Sequence, residues 1–209
     1  MIKRLHLGAS RFEKLTMSQL DIFLDKSWLH LGEDKLENLN NGPLTPVDYS
    51  RTNFEPFHFK KGDKLEFGDN SYEHVFSEHF FEHLFLDESI DLIREVYRVL
   101  KPKGVMRTVV PDADLRPIPE KLGFPGGQYD WNNKRKHKTR WSIYSIKPIL
   151  ELIGFEVIPI KYYDKEGKLH DNLNNLPLEE HANLLDLLIL SESKHIKRKN
   201  SLILDAVKR

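Results

Sequence analysis

The sequence predicts an α/β fold, a doubly wound and mostly parallel sheet, and three observations carry that expectation. Strand-like and helix-like segments alternate along the chain. The run Leu65–Asp112 passes from strand to polar strand end, helix, Gly turn and strand, the unit that sets side chains along the rim of a parallel sheet. A length of 209 residues is enough to bury one core of several strands and helices, so residues 1–209 are expected to form a single domain.

The elements follow in order. Ile2–Leu7 enters as a short strand ending at Gly8-Ala9-Ser10, where a loop is expected. Phe12, Leu15, Leu20, Phe23 and Leu24 suit an amphipathic helix, and Trp28–Leu31 a second strand. Residues 33–55 are rich in Asn, Pro and Gly, with Asn38–Pro43 the clearest turn cluster, and Phe54–Phe59 reads as a third strand. Asp69-Asn70-Ser71 is turn chemistry before the strand Glu73–Ser77. Asp87 or Ser89 is placed to cap a helix whose apolar positions Ile90, Ile93, Val96, Tyr97 and Leu100 keep a 3.6-residue rhythm, and Pro102 and Gly104 stop it. Val105–Val110 is β-branched enough for a buried strand that ends in Pro111-Asp112-Ala113-Asp114. Ser77, Glu78, His79, Asp112 and Asp114 are thus expected on one rim. Residues 113–141, rich in Pro, Gly and charge, read as a lid or acceptor loop. Ser142–Leu152 follows as a helix stopped by Gly154, then a strand Phe155–Ile160, a helical insertion at 171–199, and a closing strand Ser201–Val207.

Bulk composition narrows the function. Thirty-two basic and 32 acidic residues give formal net charge +0, so no global field recruits nucleic acid or an anionic membrane. The absence of Cys excludes disulfides, thiolate zinc sites and cysteine nucleophiles. No apolar leader and no span of about 18 apolar residues occurs, which leads to the expectation of a cytoplasmic protein without a membrane partner.

DNSYEHVFSEHFFEHL, REVYRVLKPKG and VVPD together resemble the second half of a class I S-adenosylmethionine-dependent methyltransferase, of the small type 11-like group of predicted methyltransferases. The likeness continues through Lys138-Thr139-Arg140-Trp141, SIKPILELIGFEVI, YYDKEGKLH and SLILDAVK, with Glu66 and Lys103 standing where the family usually has Pro and Gly. It implies a Rossmann-like sheet of seven strands in the order 3-2-1-4-5-7-6, the last antiparallel, with S-adenosylmethionine as cofactor. The implied cofactor-binding residues are Gly8, Ala9, Ser10, Glu33, Asp63, Leu65, Ser77 and Glu78. The family's Gly-rich turn after the first strand is degenerate in LHLGAS: Gly8 holds the first glycine position and Ser10 the second. Gly32 stands where the family places its ribose-binding acid, with Glu33 one step away.

For transfer to a hydroxyl, the enzyme must hold the acceptor in line with the methyl group and take up a proton. His79 and Asp112 are the catalytic candidates, set against helix capping or solvated turns for Asp112 and Asp114. His79-Phe80-Phe81-Glu82-His83 also reads as H-x-x-E-H, in which histidines four apart share zinc on one helix face, with Glu151 as a third ligand. The same letters fit the methyltransferase pattern, so no metal ligand is assigned, and His83 is read as a helix residue bonding its neighbours. Lys134–Lys138, Arg140, Trp131 and Trp141 mix cations with aromatics; a solvated loop, or a site for a phosphorylated or sugar-bearing acceptor, is preferred to polynucleotide binding. The sequence thus expects a methyltransferase acting on a small-molecule or sugar-like acceptor. The alternatives are a non-catalytic methyltransferase-like binding or assembly module and, more remotely, a zinc hydrolase.

Overall fold

The structure is a computed structural model that describes residues 3–15, 17–37, 44–115, 130, 132, 136–181 and 200–209. Its strands are β1 (Arg4–Phe12), β2 (Lys14–Leu15), β3 (Trp28–Glu37), β4 (Thr45–Pro46), β5 (Phe54–Pro56), β6 (Tyr72–Glu78), β7 (Leu100–Pro111), β8 (Phe155–Tyr163), β9 (Leu169–Asp171) and β10 (Ser201–Lys208). The α-helices among the described residues are α1 (Met17–Leu24), α2 (Leu86–Val99) and α3 (Ile143–Ile153). The main sheet has the order β5-β3-β1-β6-β7-β10-β8-β9. β5, β3, β1, β6 and β7 run parallel, and β10 lies antiparallel between β7 and β8. The seven-strand order implied by the resemblance is present, extended to eight strands by β9 on the β8 edge. The order reverses between β1 and β6, and that switch point is where an open α/β sheet binds ligands.

The two faces of the sheet differ in chemistry. On one, Leu5, Leu7, Leu29, Leu31, Val75, Met106, Val110, Leu202 and Leu204 form a continuous apolar layer under the buried faces of α2 and α3. On the other, Trp28, Phe76, Val105, Val109, Ile203 and Val207 pack with Ile22 of α1 and with Leu173, Leu176 and Leu178. Period-2 alternation sends His6, His30, Arg107 and Asp205 to this second face as well. Arg107 and Asp205 are cross-strand partners, both fully buried, joined by Nε–Oδ1 at 2.8 Å and Nη2–Oδ2 at 2.6 Å.

Three expectations are corrected here. β1 does not end at Leu7: the ladder to β3 continues through Ala9↔Gly32, Ser10↔Glu33, Arg11↔Leu36 and Phe12↔Glu37, with register shifts at Gly8 and after Ser10. Gly32 permits this, because a Cβ there would lie 1.6 Å from the Ala9 carbonyl oxygen. The following helix is shortened to Met17–Leu24 because Phe12 and Leu15 are spent in strands. Neither Asp87 nor Ser89 caps α2; the helix starts at Leu86, and the Glu88 carboxylate accepts the Phe85 N–H at 2.9 Å. α3 matches its expected span closely, opening at Ser142, whose N–H is accepted by Ser145 Oγ at 2.9 Å, and ending at Gly154 with φ +121°. The larger part of the expected lid at 113–141 and residues 182–199 of the expected helical insertion lie outside the described residues.

Candidate active site

The carboxyl ends of β1, β3, β6 and β7 define the rim. Gly8 sits at a bulge in β1 with φ +73°, a left-handed conformation that favours Gly, and a Cβ there would lie 2.5 Å from the Phe80 ring. Phe80 follows β6 and belongs to an aromatic group with Phe57 and Phe81, at centroid separations of 6.3 and 5.7 Å. Its ring therefore lies against the one glycine that the sequence assigns to the cofactor turn. Beside it, Ser10 and the exposed Glu33 are partners across β1 and β3.

The expected cofactor residues divide into two groups. Gly8, Ala9, Ser10 and Glu33 lie together at the joined ends of β1 and β3, and half-buried Glu78 ends β6. Ser77 is fully buried, and its hydroxyl pairs with Thr108 Oγ1 at 3.3 Å inside the sheet. Leu65 is a core residue whose N–H donates to Glu95 Oε2 and whose carbonyl accepts from Arg98 Nη2, both at 2.9 Å. Its backbone polar groups are thus bonded to α2. Asp63 accepts the Lys60 N–H within its own exposed turn, next to Gly62, which donates to Asp91 on α2. The structure therefore docks residues 62–65 on the flank of α2, where Arg98 draws the Glu95 carboxyl below its ordinary pKa.

Asp112, the second catalytic candidate, has backbone partners in the structure. It is fully buried, its Oδ1 accepts the Asp114 N–H at 2.9 Å and its Oδ2 accepts the Tyr163 N–H at 2.8 Å. A carboxylate held by two backbone donors ties the end of β7 to β8, across the end of β10 that lies between them. His79, by contrast, stands on the rim with φ +49°, and its Nε2 is 3.1 Å from Ser201 Oγ and its Nδ1 3.7 Å from Glu82 Oε1.

The H-x-x-E-H segment does not form the helix that zinc sharing between His79 and His83 requires. Phe81–His83 is a single 3-10 turn after the left-handed His79. The turn is held by a segment distant in sequence: the Lys138 and Thr139 N–H groups donate to the Glu82 carbonyl, and Thr139 Oγ1 donates to the Phe81 and Leu84 carbonyls. This brings His137 to His83, with ring centroids 5.0 Å apart and planes at 87°. Burial lowers the His83 pKa; the nearby His137 adds to this, and a hydrogen bond to the Lys136 backbone and the Glu33 charge oppose it. One ligand atom from each of Glu82, His83 and His137 lies within 4.8 Å of the others. His137 is the residue that sequence reasoning missed. His137 lay inside the flagged basic–aromatic stretch, but nothing local paired it with His83.

The order of the sheet and the rim at its switch point define the class I S-adenosylmethionine-dependent methyltransferase fold. The chain superposes on a methyltransferase from Archaeoglobus fulgidus with TM-score 0.54 at 15% identity, covering 99% of this chain and 86% of that one. For an S-adenosylmethionine-dependent methyltransferase from Mesorhizobium loti the values are 0.52, 16%, 99% and 91%. For the 1,6-didemethyltoxoflavin N1-methyltransferase of Burkholderia thailandensis, solved with its substrate and S-adenosylhomocysteine, they are 0.50, 12%, 98% and 70%. Residues 36–108, from the end of β3 into β7, match the methyltransferase domain family. No curated protein matches in sequence. No helix among the described residues is long and apolar enough to cross a membrane.

Proposed function

We propose that the chain is an S-adenosylmethionine-dependent methyltransferase acting on a small-molecule or sugar-like acceptor. The observation that carries this reading is the coincidence of the methyltransferase-domain match over residues 36–108 with a switch-point rim on the same fold. Two features of that rim suit the cofactor. Gly8 presents backbone without a side chain at a positive φ, and Glu33 offers an exposed carboxylate of the kind that accepts hydrogen bonds from a ribose diol. Phe80 bears on the same place, and its ring must turn off Gly8 to admit a ligand.

Bound S-adenosylmethionine supplies a methyl group on a sulfonium. The chain's own part is to hold the acceptor in line and keep water out, which the aromatic wall of Phe57, Phe80 and Phe81 favours. For a hydroxyl acceptor, His79 is the rim imidazole available to take up the proton, with Glu82 3.7 Å away to stabilise its charged form.

A second reading, a binding or assembly module on the same fold, is favoured by one observation. The β1–β3 ladder runs unbroken in direction past the glycine turn to Phe12 and Glu37, with Phe80 closed over Gly8. Titration calorimetry with S-adenosylhomocysteine separates the two, since the enzyme reading expects saturable binding and is overturned by none at millimolar ligand. Phe80→Ala is expected to tighten binding by about tenfold, the equivalent of about 1.4 kcal/mol spent on turning the ring. Gly8→Arg abolishes binding, and an unchanged affinity in both variants places the cofactor elsewhere.

A further inference from the structure

We infer that Glu82, His83 and His137 form a binding site for a divalent transition-metal ion. The site lies beside the switch point and ties the 136–141 segment to the 3-10 turn after β6. Three potential ligand atoms within 4.8 Å of one another are close enough to share one ion. Two imidazoles and one carboxylate are the donor set of three-ligand zinc centres, which keep a further position for water or a ligand oxygen. Magnesium, which prefers oxygen donors and its own water shell, is disfavoured by the imidazole pair.

The surroundings are those of a supported metal ligand set. The His83 and His137 rings meet edge to face at a centroid separation of 5.0 Å, so the two imidazoles stand side by side at the cluster. Glu82 is almost fully buried, and its backbone carbonyl is bonded by Lys138 and Thr139, so the turn and the segment bearing His137 are held in register. Thr139 adds side-chain bonds to Phe81 and Leu84. His79 stands 3.7 Å from the Glu82 carboxylate as a neighbour, with its other ring nitrogen on Ser201. The site differs from the helical H-x-x-E-H arrangement in its second histidine, which comes from another part of the chain.

The test is titration calorimetry of zinc chloride into full-length, tag-free protein stripped with a chelator. The expected result is one equivalent of zinc, not displaced by an equal concentration of magnesium chloride. His83→Ala and His137→Ala are each expected to weaken binding by at least about tenfold. His170→Ala, at an imidazole paired with Asp164 away from the cluster, leaves it unchanged. Should His83→Ala fail to fold, His137→Ala decides alone, because it lies in a connecting segment. Absence of stoichiometric zinc binding, or zinc binding equally tight in the His137 variant, overturns the assignment.

Discussion

Acid is expected to destabilise this protein through His30, and the structure fixes both sign and size. His30 lies on the β3 face toward α1, fully buried, stacked on Phe23 at 4.3 Å and 9°, with its Nδ1 3.2 Å from that of His6. Burial lowers its pKa from 6.5 to about 4, against the smaller opposing effects of an Ile22 backbone hydrogen bond and the Asp25 charge. Between those values the unfolded chain binds the proton and the folded chain does not. The stability that goes with neutral His30 is therefore complete above about pH 6.5 and is lost as pH falls toward 4. At about 1.4 kcal/mol for each pH unit of that interval, the loss comes to about 3 kcal/mol. Urea denaturation across the interval, on the natural chain and on His30→Phe, measures it. The variant keeps an aromatic ring against Phe23 but has no proton to bind, so its stability should fall by about 3 kcal/mol less over the same range. Equal pH slopes in the two proteins would refute the reasoning.

Two further predictions concern buried charge. Arg107→Met alone leaves Asp205 buried without its bidentate partner and is expected to cost about 3–5 kcal/mol, while adding Asp205→Leu recovers most of that; equal stability of single and double variants would contradict it. Asp112→Ala deprives the Asp114 and Tyr163 N–H groups of their acceptor and is expected to cost about 3 kcal/mol, with Asp112→Asn intermediate. Calorimetric melting checks this, and an undiminished melting temperature with lost methyl transfer would assign Asp112 a catalytic role.

The sequence by itself determined the alternation of strand and helix and the rim, because these follow from local periodicity and punctuation that each segment carries alone, whereas the strand order was implied only by the family resemblance. Ser142–Leu152 and Ser201–Val207 lie where their patterns place them, within one residue, while the strand expected at Val105–Val110 begins at Leu100 and takes in Pro102 and Gly104. Only the tertiary structure decided which partners each rim residue meets. Asp112 reads as an exposed strand-end acid until Tyr163, 51 positions away, is seen to donate to it. Gly8 reads from sequence as the first glycine of a cofactor turn, and only the tertiary structure shows Phe80 against it and the ladder to Gly32 continuing past it. His83 reads as a helical neighbour of His79 until the bonds from Lys138 and Thr139 bring His137 alongside. The physical reason is common to all three. A side chain's role is set by the partners that satisfy its hydrogen bonds and volume, and in a doubly wound sheet those partners come from strands and loops far apart in sequence.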